Sequence, residues 1–161
     1  MNDEDAISKP YFAYGTLLGL SHMRSRYPSA QPVGRATYLD HELGFWQYAD
    51  GVDGGGCTIV ESPGRHLIGI LYRLDAADAR RLLEVDGLRD QYEVRHIAVT
   101  DQNGALTPAY TLRVDPDNGV WPPPDDYAGL VTNGAAEANL PDDYRARLNE
   151  IIADARRSSS P

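Results

Sequence analysis

The stretch Tyr11-Phe12-Ala13-Tyr14-Gly15-Thr16-Leu17-Leu18 organises the reading of this chain. Three aromatic residues and an alanine suit a short strand, and Gly15-Thr16 ends it. Leu18 to Arg26 then reads as a helix, stopped at Pro28. A strand that turns through Gly into a helix can present unpaired backbone N–H groups, and such a turn attracts carboxylates and other anions. On local grounds an ordinary strand-to-helix turn is the plainer reading.

Outward from this turn, Gly34 to Leu39 and Leu43 to Tyr48 read as strands separated by a polar turn at Asp40-His41-Glu42. Asp50 to Gly56 reads as a flexible loop. Cys57 to Val60 and Leu67 to Leu74 then read as a strand pair joined by Ser62-Pro63-Gly64-Arg65. A helix is expected over Asp75 to Leu83, with Asp75 as N-cap and Asp78 echoing a capping box. Tyr92 to Thr100 and Ala109 to Val114 form a hairpin across Asp101-Gln102-Asn103-Gly104, because Asn-Gly tolerates positive φ. Pro122-Pro123-Pro124 is extended. Two helices close the chain, about Asp126 to Glu137 and Pro141 to Ala155. The result is one small α+β domain with strands in the majority, spanning 10–155 between disordered tails at 1–9 and 156–161.

With 161 residues, 42% hydrophobic and 24% charged, the chain can bury a core. Its net charge of −9 speaks against nucleic acid and against an anionic membrane surface as partners. The segment after Met1 is too polar for a signal peptide, and no run approaches the roughly 20 apolar residues of a membrane span, so the cytoplasm is expected. A homodimer stays open. Cys57 is the only cysteine, and His22, His41, His66 and His96 lack ligand spacing. No metal is therefore expected.

Several features attract attention and are set aside. Gly54-Gly55-Gly56 lacks the Gly-Lys-Ser/Thr of a phosphate loop. Asp115-Pro116-Asp117-Asn118-Gly119 has the wrong spacing for a calcium loop. Cys57 reads as a buried small hydrophobe. Glu84-Val85-Asp86-Gly87 is more promising. A carboxylate on a turn after a helix, partly desolvated, gains a raised pKa suited to proton transfer near neutrality. A solvated helix end with Gly as C-cap is the plainer reading.

Taken in order, these pieces resemble the γ-glutamylcyclotransferase (AIG2-like) family. Tyr11 to Leu18 stands where the family has a strand running into Tyr-Gly-Ser-Asn-Leu. Arg26-Tyr27-Pro28-Ser29-Ala30, Gly56-Cys57-Thr58-Ile59-Val60, Ser62-Pro63-Gly64 and Ile68-Gly69-Ile70-Leu71-Tyr72 follow. Asp86-Gly87 matches the family's Glu-Gly, with Tyr92 downstream. Tyr127 begins a helix, and Gly134 to Tyr144 resembles a C-terminal Gly-Leu-Pro-x-x-Tyr signature.

The resemblance implies a small mixed β-barrel of five to six strands flanked by helices, with a cavity at one mouth. It also implies a cofactor-free reaction within glutathione metabolism. A γ-glutamyl amino acid or amine becomes 5-oxoproline plus the free amine. Carried over by position, Asp86 is the general acid/base. Tyr14, Gly15, Thr16 and Leu17 cradle the substrate, and Tyr127 and Tyr144 line the pocket. Two departures stand out: Asp86 is one methylene shorter than Glu, and Leu17 replaces a polar Asn. They leave open a non-catalytic member that binds a γ-glutamyl-like metabolite or a partner protein.

Overall fold

The computed structural model describes residues 7–49, 51–84, 89–115 and 118–158. The candidate acid Asp86, the Gly87 after it, and Pro116-Asp117 of the acidic loop lie outside the described residues. Five strands, β1 (Tyr11–Ala13), β2 (Gln31–Gln47), β3 (Gly55–Arg73), β4 (Tyr92–Asp101) and β5 (Leu106–Val114), close into a barrel in the order β1-β3-β2-β4-β5. All neighbouring pairs are antiparallel except β1 with β5, where Tyr11 lies opposite Tyr110. Among the described residues four α-helices accompany the barrel: α1 (Leu20–Arg26), α2 (Ala76–Glu84), α3 (Asp125–Glu137) and α4 (Asp142–Ser158). No described helix is long and apolar enough to cross a membrane.

The expected turn at Asp40-His41-Glu42 is not a turn. The chain runs on as one long β2, paired with an equally long β3 from Gln31 opposite Arg73 to Gln47 opposite Gly55. The register shifts where Leu39 faces His66 and His41 faces Glu61. Asp40 absorbs the shift with φ of 62°, a left-handed conformation that Asp tolerates better than most residues. Its Oδ1 accepts the Gly64 N–H at 2.9 Å. The Ser62-Pro63-Gly64-Arg65 segment is thus the other side of one bulge, and the two strands expected to pair through it both pair with β2 instead.

The other local expectations fare better. Asp75 caps α2, its Oδ1 accepting the Asp78 N–H at 2.8 Å. Asp78 does not complete a capping box. Its carboxylate accepts the Ser29 N–H at 2.9 Å and an Arg81 N–H at 2.8 Å, pinning the segment before β2. The β4–β5 hairpin turns through Asp101, whose Oδ1 accepts the Asn103 and Ala105 N–H groups, and Gly104 supplies φ of 83°. Helix α4 continues through Arg156 to Ser158, residues read from sequence as a tail. Arg156 is held there by the Pro123 carbonyl and the Asp125 carboxylate.

Packing of α1 against α3 fixes the turn that follows β1. A Cβ on Gly134 would lie 2.8 Å from the Gly19 nitrogen, so glycine there is what lets the two helices meet. Glu137 then reaches the start of α1, its Oε1 accepting the Ser21 N–H at 2.7 Å. From beneath, the Tyr72 hydroxyl donates to the Leu18 carbonyl at 2.9 Å. The loop 14–19 is therefore held at its far end by groups from β3 and α3.

Candidate active site

Where this loop meets β3 and α3 there is a cavity of about 80 Å³. Its described lining includes Tyr14, Gly15, Thr16, Leu17 and Tyr127, residues expected at the site, together with Tyr11, Tyr27, Cys57, Leu82, Tyr92 and Leu112. Larger depressions exist, such as the 320 Å³ groove bounded by Thr132, Asp142 and Arg145 between α3 and α4. That groove contains no residue of loop 14–17. Asp86 lies outside the described residues, but Leu82 and Tyr92, which flank it along the chain, both line the smaller cavity.

Tyr144 is elsewhere. Together with Glu42, Ile68 and Arg147 it lines a separate depression. The reason is helical phase. Tyr144 continues the i, i+4 stripe of buried Leu148 and Ile152, so its ring packs α4 onto the barrel. Its neighbour Arg147 makes a two-pronged ion pair with Glu42 at 2.8 and 3.1 Å.

Three tyrosines of the cavity are fixed by specific bonds. The Tyr14 hydroxyl donates to the Leu112 carbonyl at 2.7 Å. The Tyr92 and Tyr48 hydroxyls are 3.0 Å apart. Tyr127 Oη accepts the Cys57 backbone N–H at 3.0 Å and lies 3.5 Å from Cys57 Sγ, toward which its own proton is directed. Its ring meets Trp121 edge-on at 4.9 Å and Phe45 at 6.2 Å, the tilted contacts aromatic quadrupoles prefer. Trp121 in turn covers Gly55, where a Cβ would fall 2.5 Å from the indole. The glycine run dismissed as a phosphate loop is thus a platform for aromatic packing.

Cys57 and Tyr92 were not singled out as site residues from the sequence. Cys57 is 7% exposed and lies against the loop, its sulfur 2.7 Å from where a Cβ on Gly15 would stand. Its only sequence signal is its place directly after Gly55-Gly56, which brings β3 under the aromatic residues. Tyr92 could have been found as the first residue of a strand after the Asp86 segment.

Burial dominates the electrostatics. It pushes the hydroxyls of Tyr11, Tyr14, Tyr27, Tyr92 and Tyr127 above the ordinary tyrosine range. The Cys57 thiol is pushed up to about 12 by the same desolvation, the Tyr127 and Thr16 hydrogen bonds offsetting only part of it. All six are neutral at physiological pH, able to donate or accept hydrogen bonds but unsuited to serve as a base.

Comparison with known proteins places this architecture among relatives. Residues 66–148 match the model of the AIG2-like family. The chain is 28% identical over 156 residues to a gamma-glutamylcyclotransferase of Bos taurus, covering 94% of this chain and 82% of the relative. It is 30% identical over 147 residues to the gamma-glutamylcyclotransferase of Mus musculus, covering 88% and 77%. A solved structure named gamma-glutamyl cyclotransferase superposes with a TM-score of 0.77 at 26% identity, covering 94% of this chain and 99% of the other.

Proposed function

Because this chain belongs to the AIG2-like family, we propose that it converts a γ-glutamyl amino acid or γ-glutamyl amine to 5-oxoproline and the free amine. In this reaction the α-amino nitrogen of the γ-glutamyl group attacks its own γ-carbonyl carbon. The new ring C–N bond forms, the amide C–N bond breaks, and the electron pair leaves with the departing nitrogen. One proton is lost by the attacking nitrogen and one is gained by the leaving amine, so a single carboxyl group can carry it between them. Holding the substrate curled supplies much of the rest, since orientation alone removes several kcal/mol from about 7–11 available to an intramolecular attack.

The observation that carries this reading is the cavity. Gly15, Thr16 and Leu17 line one wall and Tyr127 another, and the backbone N–H groups of that loop with the Tyr127 hydroxyl would make a donor set suited to carboxylate and carbonyl oxygens. Because every titratable group among the described lining residues is a neutral tyrosine or thiol, proton transfer falls to a residue of another kind. Position in the family pattern assigns it to Asp86. No cofactor takes part in this chemistry.

The test is 5-oxoproline release from a panel of γ-glutamyl amino acids and amines, using chelator-treated protein. Turnover is expected in the wild type, with Asp86→Asn lowering kcat by about 10²–10⁴-fold. Asp86→Glu restores the longer reach of the family's glutamate and is expected to keep or raise activity. Silence across the panel, with a γ-glutamyl ligand still raising Tm, would instead identify a metabolite-binding member of the family.

A further inference from the structure

We propose that the depression bounded by Tyr48, Asp53 and Trp121 is the subsite for the departing amine, and that it selects an amine carrying a second, cationic amino group over an amino acid with a free carboxylate. The inference deepens the cyclotransferase reading and rests on it for the reaction.

The cavity at loop 14–17, about 80 Å³, has room for about five to eight groups the size of a water molecule. That is the scale of one γ-glutamyl unit, so the departing portion lies outside it. Across the Tyr92 and Tyr127 wall is a second hollow of about 230 Å³, whose lining includes Tyr48, Val52, Asp53 and Trp121. The two hollows meet ring against ring. Tyr48 lines the outer one and Tyr92 the inner one, with their hydroxyls 3.0 Å apart and their rings edge-on at 5.9 Å. Trp121 and Tyr127 repeat the arrangement at 4.9 Å. A chain departing from the γ-carbonyl therefore has the outer hollow one ring away.

Backbone bonds hold both sides of this hollow. The Tyr48 N–H donates to the Gly54 carbonyl at 3.0 Å, and the Ala49 N–H to Gln91 Oε1 at 2.8 Å. Opposite, the Trp121 N–H donates to the Phe45 carbonyl at 2.9 Å, and the Gln47 N–H to the Gly119 carbonyl at 2.7 Å. Among the described lining residues of the two hollows, Asp53 is the one charged side chain. A carboxylate beside two electron-rich rings suits an ammonium group, which gains from charge pairing and from the ring quadrupoles. The α-carboxylate of a departing amino acid would instead meet a like charge there.

The experiment uses the mono-γ-glutamyl derivatives of pentanediamine, hexylamine and aminohexanoic acid, which carry an ammonium, a methyl and a carboxylate at the far end of similar chains. In wild type, kcat/KM for the diamine is expected to exceed that for hexylamine by about three- to tenfold, with the acid poorest. The difference should lie in KM, the pattern of uniform binding. Asp53 is exposed, so its variants are expected to fold, and Tm checks this. Asp53→Asn should narrow the preference to about twofold, leaving the ring contribution. Asp53→Lys should reverse it in favour of the acid. Equal kcat/KM for the three compounds, or an order that survives Asp53→Lys, would overturn the subsite and leave the cyclotransferase reading standing. If no γ-glutamyl compound releases 5-oxoproline, the cyclotransferase reading fails separately. Calorimetric affinities of the same three compounds then decide the subsite: the same order, reversed by Asp53→Lys, supports it, and equal affinities overturn it.

Discussion

Gly15 and Cys57 are packed so closely that a methyl group on the glycine would fall 2.7 Å from the sulfur and 3.2 Å from Cys57 Cβ. Neither side can yield easily, since Cys57 is buried within β3 and the loop is tied to β3 and α3 beyond Leu18. Gly15→Ala is therefore expected to destabilise the protein by about 1–3 kcal/mol, the usual cost of overpacking. It should also weaken substrate binding by lifting the loop. Urea unfolding with parallel KM measurements checks both; an unchanged KM would mean the loop shift does not reach the ligand.

Tyr127→Phe removes the acceptor of the buried Cys57 N–H. An unpaired backbone donor costs about 1–3 kcal/mol, so stability should fall by that order although the ring is kept. Loss of the hydroxyl donor should also raise KM. Thermal unfolding and kinetics on the same preparation would separate the two effects.

Gly55→Ala should be more damaging than its place in a glycine run suggests, because the residue is buried at the start of β3. A Cβ there would lie 2.4 Å from the Trp46 carbonyl oxygen and 2.5 Å from the Trp121 ring. Backbone and indole cannot both move without disturbing Tyr127, which meets Trp121 at 4.9 Å. A loss of about 3 kcal/mol is expected, at the upper end for overpacking. Gly51→Ala makes a useful contrast for space, as no described atom beyond its chain neighbours lies within 4 Å of its added methyl, although its φ of 87° carries its own strain. Near-UV circular dichroism should report the displaced indole in Gly55→Ala alone.

Stability should decline on the alkaline side. Cys57 is raised from 9.0 to about 12, and the cavity tyrosines are raised above 10.0, chiefly by desolvation. In this case the unfolded chain releases its protons first. The contribution is fully present below the unfolded pKa values and is lost as pH climbs through them toward the folded ones. Tm is expected to hold up to about pH 8.5 and then fall. Cys57→Ser should postpone the onset of that fall toward about pH 10, where tyrosine takes over. Identical pH profiles for the two proteins would show that the thiol titrates alike in both states.

Residues close together in the chain made much of the fold legible. The β1 turn, the Asp75 cap and the Asn-Gly hairpin each depend on bonds spanning a few residues, and each was read correctly. The same locality explains the misreading at Asp40. A polar triplet with Asp at its head looks like a turn. Only the Gly64 N–H, 24 positions further on, turns it into a bulge within a continuous strand.

The site divides in the same way. Sequence alone determined that a glycine turn follows an aromatic strand, that the chain carries one cysteine, and that Tyr127 lies near the start of a helix toward the C-terminal end. Tertiary structure decided which of these residues share a cavity. It brought Tyr127 onto Cys57 across 70 positions and set the sulfur under Gly15. It also turned Tyr144 to another face, because the phase of α4 is set by where Leu148 and Ile152 must bury. Turns and caps are encoded by neighbours, whereas a cavity exists only when barrel closure brings distant residues to one place.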